Sequence, residues 1–333
     1  AEGDAAAGFD ARLSIGQGNE LLAFGGELSV LESGELAGTG TLDIALDDGS
    51  GLAALAGGTG IGLGSLEASA GVEFYGTQSI AITGIAGRSS GTAFSGDIAV
   101  EQMAQRPSIE GALHFDRLSG DGLAGALLSP AALLPGDGVW PEGPLAASNA
   151  TRTTRGTIAV TAGEVALGGS ILTETAFDLN WDQQTLAISN LKGAIGGGTL
   201  NATLSQCCAG PLTDRTITGR MSLDNVQVSA LLTADAASGL SARLTGSGSF
   251  EGTGASLAEV VSSLAGEGNF SLADLSLDRL NPGVYPALAG LQDVLNIDAE
   301  ALDILIDQSL GQGPFIASSA NGAFAIAGGT LRL

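Results

Sequence analysis

Along most of this chain, apolar side chains fall on every second residue, with small or polar ones between them. In "GEGNFSLADLSLDRL" (266–280), Phe270 and Leu272 alternate with polar or small neighbours, and Leu275 and Leu277 resume the alternation. A period of two is the mark of a strand with one buried face. The runs are short and bounded by Gly, Asn, Asp and Ser, which reads as antiparallel strands joined by turns. The clearest hairpin is "FDLNWDQQTLAIS". Phe177, Leu179 and Trp181 point one way, and Asp178, Asn180 and Asp182 the other. Gln183 and Gln184 form the turn, and Leu186 and Ile188 resume the pattern. A third strand is expected at 199–204, making a meander with one apolar and one wet face.

One unit recurs: Gly-x-apolar-x-apolar-x-x-apolar. It begins at Gly111 (Leu113, Phe115, Leu118), at Gly219 (Met221, Leu223, Val226) and at Gly268 (Phe270, Leu272, Leu275). The final step of three would flip the side chain to the other face of a strand. A bulge or tight turn that starts the next strand is therefore expected there. The copies are irregularly spaced, so they are degenerate β repeats, not a solenoid of fixed period.

Helical patterns are few. "GASLAEVVSSLAG" places Leu257, Val260, Val261 and Leu264 on one helical face with Ser256 as N-cap, predicting a helix near 255–265. A short apolar helix near 122–134 is broken by Pro130, and two helices joined near Ile297 are expected within 282–310. Each would cover an edge or end of an unclosed sheet. "PGDGVWPEGPL" (135–145), rich in Pro and Gly, is the best internal boundary. It divides a β-rich segment, 1–135, from a second β-sheet segment, 136–333.

Composition sharpens this picture. The 333 residues include 53 Gly, and only 14% are charged. The formal net charge is −24. That balance speaks against nucleic acid and against basic patches on anionic membranes, and an acidic surface keeps an apolar chain in solution. No stretch is long and apolar enough to be a membrane span, and no signal peptide is visible. The chain starts at Ala1 and stops within the strand-like "GGTLRL". It is therefore expected to be a segment of something longer, with any anchor left out.

Little points to catalysis. His114 is the one histidine, at a polar-facing strand position, and no nucleophile elbow accompanies it. Sites built on several His or Cys are excluded by count. The adjacent Cys207 and Cys208 read as small semi-apolar residues at a strand end, because neighbouring cysteines rarely reach disulfide geometry without strain. A Gly-x-Gly-x-x-Gly run at 120–125 follows a strand and precedes a helix. So many glycines make such a match by chance, and nothing else reads as a strand–helix–strand unit. The paired Asp47 and Asp48 sit in a glycine-rich turn. No enzymatic role, cofactor or metal is expected.

Three stretches carry a family likeness: "WPEGPLAA" (140–147) with the strand series 156–204, the segment 244–283, and the tail "FIASSANGAFAIAGGTLRL" (315–333). The N-terminal third fits less sharply. The chain resembles the AsmA-like proteins, the group that includes TamB-type envelope proteins. The resemblance implies a mainly β fold: an elongated, curled antiparallel sheet, an open trough, with a few short covering helices. It implies a non-enzymatic periplasmic carrier that moves phospholipid or another acyl lipid between inner and outer membranes and supports outer-membrane assembly. Such proteins are tethered to the inner membrane by an N-terminal helix that this chain lacks.

Alternation alone does not separate such a trough from a closed sandwich, in which the chain would be a structural module pairing with envelope protein partners. In the trough reading, the lining residues are Leu113, Phe115, Phe177, Leu179, Trp181, Leu186, Ile188, Met221, Leu223, Phe270, Leu272, Phe324 and Ile326.

Overall fold

The computed structural model describes residues 8–17, 20–49, 64–102, 106–128, 130–145, 154–207, 214–232, 237–290 and 298–333. The fold is mainly β: one sixteen-stranded sheet, not closed into a barrel, with a few short helices. The strands are hydrogen-bonded in chain order. The first seven are β1 (Phe9–Gln17), β2 (Glu20–Val30), β3 (Leu36–Leu46), β4 (Leu66–Tyr75), β5 (Ser79–Ser89), β6 (Thr92–Glu101) and β7 (Ser108–Ser119). Then come β8 (Arg155–Leu167), β9 (Ser170–Trp181), β10 (Leu186–Ile195), β11 (Gly198–Cys207) and β12 (Arg215–Gln227). The last four are β13 (Leu240–Gly254), β14 (Ala265–Leu277), β15 (Phe315–Ala327) and β16 (Thr330–Arg332).

The expected 177–188 hairpin is β9–β10, pairing Trp181 with Leu186 and Leu179 with Ile188. Asp182 shapes its turn by accepting from the backbone N–H groups of Gln184 and Thr185 at 2.7 and 2.8 Å. Those donors, Thr185 first, hold its carboxyl below the usual aspartate range.

Registers decide which residues share a face. One row of paired positions can be followed across the whole sheet. It runs Ala11, Gly26, Gly40, Val72, Ile82, Ile98, Gly111 and Ile158. It continues through Leu179, Ile188, Leu204, Gly219, Phe250, Gly266, Ile326 and Leu331. No member of the row is polar. On the opposite face the corresponding positions include Thr41, Thr83, Asp97, Asp178, Thr218 and Glu251. At ~4.8 Å per strand, the apolar row is a path of roughly 70 Å along the sheet.

Glycines on this face receive the aromatic rings. A Cβ at Gly219 would run into the ring of Phe250, and one at Gly322 into Phe270. Phe324 lies across Gly268 and reaches Gly248 two strands away. The same arrangement sets Phe74 over Gly38, Phe94 over Gly87 and Trp181 over Gly156. The rings lie down on the sheet because the neighbouring positions have no side chain.

In all three copies the strand runs on through the three-residue step and does not turn into the next one, and in the Gly219 and Gly268 copies the step is a bulge that keeps the face. In β12 the register shifts between Leu223 and Val226, with Asn225 at φ 54°. In β14 the shift lies opposite Ser241 and Arg243, with Asp274 at φ 51°. Gly84, Glu174 and Asn190 do the same in β5, β9 and β10. A left-handed residue absorbs the odd position, so Leu223 and Val226, or Leu272 and Leu275, stay on one side. Polar-face side chains take up backbone N–H groups at these bulges: Gly84 donates to Asp97 Oδ1 at 2.7 Å, and Asn225 to Thr245 Oγ1 at 3.0 Å.

One pairing departs from the expectation of an all-antiparallel sheet: β7 and β8 are parallel. Parallel neighbours need a crossover from one end of the sheet to the other. Here it starts with helix α1 (Gly120–Leu128) and a 3₁₀ turn (Pro130–Leu133). The stretch 135–145, expected as the boundary between the two segments, lies in this crossover. So a strand–helix–strand unit is present after all.

Among the described residues the other α-helices are α2 (Leu257–Ser262), α3 (Val284–Ala289) and α4 (Ala299–Leu310). Ser256 caps α2 by accepting from the backbone N–H of Glu259, as the sequence predicts. The expected junction near Ile297 lies outside the described residues. Among the described residues, no helix is long and apolar enough to cross a membrane. Cys207 closes β11 and is disulfide-bonded, where the sequence reading expects no bridge.

Three outcomes follow for stability, all read by urea denaturation. Gly268→Val meets both the Ser247 carbonyl and the Phe324 ring, and should cost about 1–3 kcal/mol. Gly169→Ala, with nothing within 4 Å of its Cβ, should be neutral. Glu174→Gly relieves a left-handed conformation at φ 50° and should stabilise by about 1 kcal/mol.

Candidate functional site

All thirteen residues expected to line a trough lie on the same face as the apolar row. Leu113 pairs with Val160, which pairs with Phe177, and Phe115 pairs with Ala162. Trp181 pairs with Leu186, and Leu179 with Ile188. Met221 pairs with Gly248, Leu223 with Gly246, and Gly246 in turn with Phe270. Leu272 pairs with Ala320, Phe324 with Gly268, and Ile326 with Gly266. Their exposure differs. Phe177, Leu186 and Leu223 are buried, Met221 is exposed, and the rest are half-buried.

What covers the face differs along the sheet. Over β8–β13 it packs on its own chain in two places. At one end of the strands, Ala162, Val165, Leu172, Ile195, Leu223 and Val226 form a buried cluster with Phe115, Leu118 and Leu244 against it. At the other end, Ala132 and Leu145 from the crossover pack with Ile217 and Val260. Leu145 is fully buried, and its N–H donates to the Ala255 carbonyl at 2.8 Å. The Ala258 N–H donates to the Pro141 carbonyl at 3.0 Å. The crossover is thus stitched to the start of α2.

No residue of β1–β6 belongs to either cluster. There Leu66 and Ala70 are buried, but Leu22, Phe24, Leu42, Val72 and Ile82 on the same face are half-buried, and Leu13 and Ile15 are 61% and 62% exposed.

Between the crossover and the sheet lies a cavity of about 500 Å³. Leu123, Ala124, Leu128 and Trp140 form its roof. Leu186, Ile188, Leu204, Gln206, Ile217 and Phe250 form its floor. Leu257, Val260, Val261 and Leu264 close one side. Trp140 and Leu204 are 53% and 39% exposed, so the cavity opens to solvent beside them. Its size falls in the ordinary range of ligand pockets, about 300–1,000 Å³.

Gln206 is the exception in this apolar lining. It is 3% exposed, and neither its Oε1 nor its Nε2 has a hydrogen-bond partner. An unsatisfied buried amide of this kind costs about 1–3 kcal/mol. Continuing the alternation from Leu200 through Leu204 would have put Gln206 on the apolar face. The strand expected at 199–204 runs on to Cys207, which brings Gln206 into it.

The remaining sequence candidates fall elsewhere. His114 lies on the polar face, its Nδ1 2.9 Å from Thr161 Oγ1, near the Arg117–Glu164 ion pair. The glycines at 120–125 open α1 directly from β7 with no intervening loop. A Cβ at Gly120 would strike the Ala166 carbonyl and Leu167, so that glycine allows the helix to leave close to β8. Strand β8 ends in Leu167, not in the acidic residue a dinucleotide ribose requires. No group of metal-binding side chains occurs among the described residues.

Comparisons with protein-family models, with curated proteins and with solved structures find no match to this chain.

Leu145→Ala should loosen the crossover. The expected result is a loss of about 2–5 kcal/mol in urea denaturation, with raised fluorescence of an anilinonaphthalene dye from the uncovered floor.

Proposed function

We propose that this chain is a periplasmic segment of the AsmA-like family that carries acyl lipid along one face of its sheet without catalysing a reaction. The observation that supports this reading is the apolar row across sixteen strands, uninterrupted by any polar residue. Hydrocarbon tails lying on such a surface gain ~0.8 kcal/mol per buried CH₂. Head groups would stay in water at the rim. Such contacts discriminate little between lipids, so phospholipids of mixed chain length are the substrates this reading implies. The half-buried face of β1–β6 is where tails would lie most freely.

The alternative, an envelope module with a closed core, is favoured by the buried cluster around Leu172 and Val226. The two readings differ over β1–β6. Protein purified from cells and extracted into organic solvent should yield phospholipid by mass spectrometry. Leu42→Asp or Val72→Asp should reduce the yield about tenfold, since a charge is costly to bury against hydrocarbon. Thr41→Asp, on the opposite face, should leave it unchanged. Absence of lipid from the wild-type protein, or equal yields from all three variants, overturns the carrier reading in favour of the closed module.

A further inference from the structure

We propose that the crossover roofs the lipid path and makes the cavity beneath it a holding site for one unbranched hydrocarbon chain, whose polar end stays outside. The inference rests on the carrier reading and adds to it an enclosed site of fixed capacity. Ile188, Leu204 and Phe250 on the cavity floor belong to the apolar row that crosses the sheet. A chain lying along that row passes under α1 and Trp140. There it meets apolar side chains from above as well as below: Leu123 and Leu128 in the roof, with Val260 and Val261 at the side.

The lining selects the ligand. Every lining side chain except Gln206 is apolar, and both amide atoms of Gln206 are buried out of reach of the cavity. Water entering it finds none of the polar partners that a buried water needs. A head group placed there would lose its hydration without compensation. A run of CH₂ groups loses nothing and gains dispersion contacts on all sides. The volume of about 500 Å³ is roughly three times the ~150 Å³ of a protein cavity that takes up benzene, which is room for on the order of fifteen chain carbons. The mouth lies beside Trp140 and Leu204. An indole at the boundary between hydrocarbon and water suits the point where the chain gives way to its head group.

The test uses the whole chain, freed of lipid, with Trp181→Phe so that Trp140 is the one tryptophan left. Methyl 9,10-dibromostearate carries bromine at mid-chain, which quenches an indole only on contact. It should quench Trp140 saturably, at a single ligand per chain. Primary alcohols competing for the site should gain about fourfold per added CH₂ until the cavity is full. Tetradecanol and methyl tetradecanoate share a chain length and differ in polar end, and should compete equally. Ala124→Phe, in the roof, should weaken the quenching at least about tenfold, and Thr41→Asp, on the polar face, should leave it unchanged. Quenching that does not saturate, or that needs many ligands per chain, overturns the proposal without recourse to Ala124→Phe. So does a potency that follows the polar end instead of chain length, or undiminished quenching in a folded Ala124→Phe protein. If the site fails in these ways while purified protein still yields phospholipid that Leu42→Asp removes, the carrier reading stands. If neither quenching nor extracted lipid is found, both fail.

Discussion

The structure depends on one constraint: a very wide unclosed sheet keeps its apolar side chains on a single face through every register. Side chains alternate with a period of two, so a slip of one residue in any strand would send that strand's whole apolar set to the wet side. The bulges at Gly84, Glu174, Asn190, Asn225 and Asp274 are how the chain accommodates an odd residue without that slip. Each also bends its strand and adds twist. The side-chain partners of the bulged backbone lie on the polar face, so the correction leaves the greasy side untouched. The acidic groups on that outer face, Asp97, Asp178 and Glu251 among them, oppose stacking of one sheet on another.

Much of this was legible in the residues. Alternation alone put Phe177, Leu179 and Trp181 together, and the same rule assigns all thirteen selected side chains to one face. Ser256 was readable as a cap because its chemistry is local. The three-residue step was legible as a break in period but not as a continuing strand. Whether an extra residue makes a bulge or a turn depends on its φ, and Asn225 and Asp274 adopt left-handed values that sequence only permits. The parallel pair was hidden because pairing direction depends on where the crossover goes. A proline-rich stretch between two strands looks the same whether it leaves the sheet or lies across it. Gln206 escaped because its importance lies in what surrounds it.

The glycine content, at first a compositional oddity, follows from the same face. Phe250, Phe270 and Phe324 need flat ground beside them, and Gly219, Gly322 and Gly268 supply it. Large rings and absent side chains alternate across neighbouring strands, so the surface stays apolar yet low. That low relief is what leaves room between the floor and the crossover for a cavity, instead of a filled core.

The parallel seam between β7 and β8 has a further consequence, for assembly of the molecule. Among the described strands, every other neighbouring pair is antiparallel; most of these follow from adjacent chain, while β14 and β15 pair across the helical stretch 278–314. The seam joins residues separated by the whole 120–154 excursion, and such closure exacts chain entropy before any reward arrives. Two stacks of hairpins can therefore ripen separately, one on either side. Their union waits on the long connection laying itself across the second stack, which makes that connection the clasp of the fold as well as its roof.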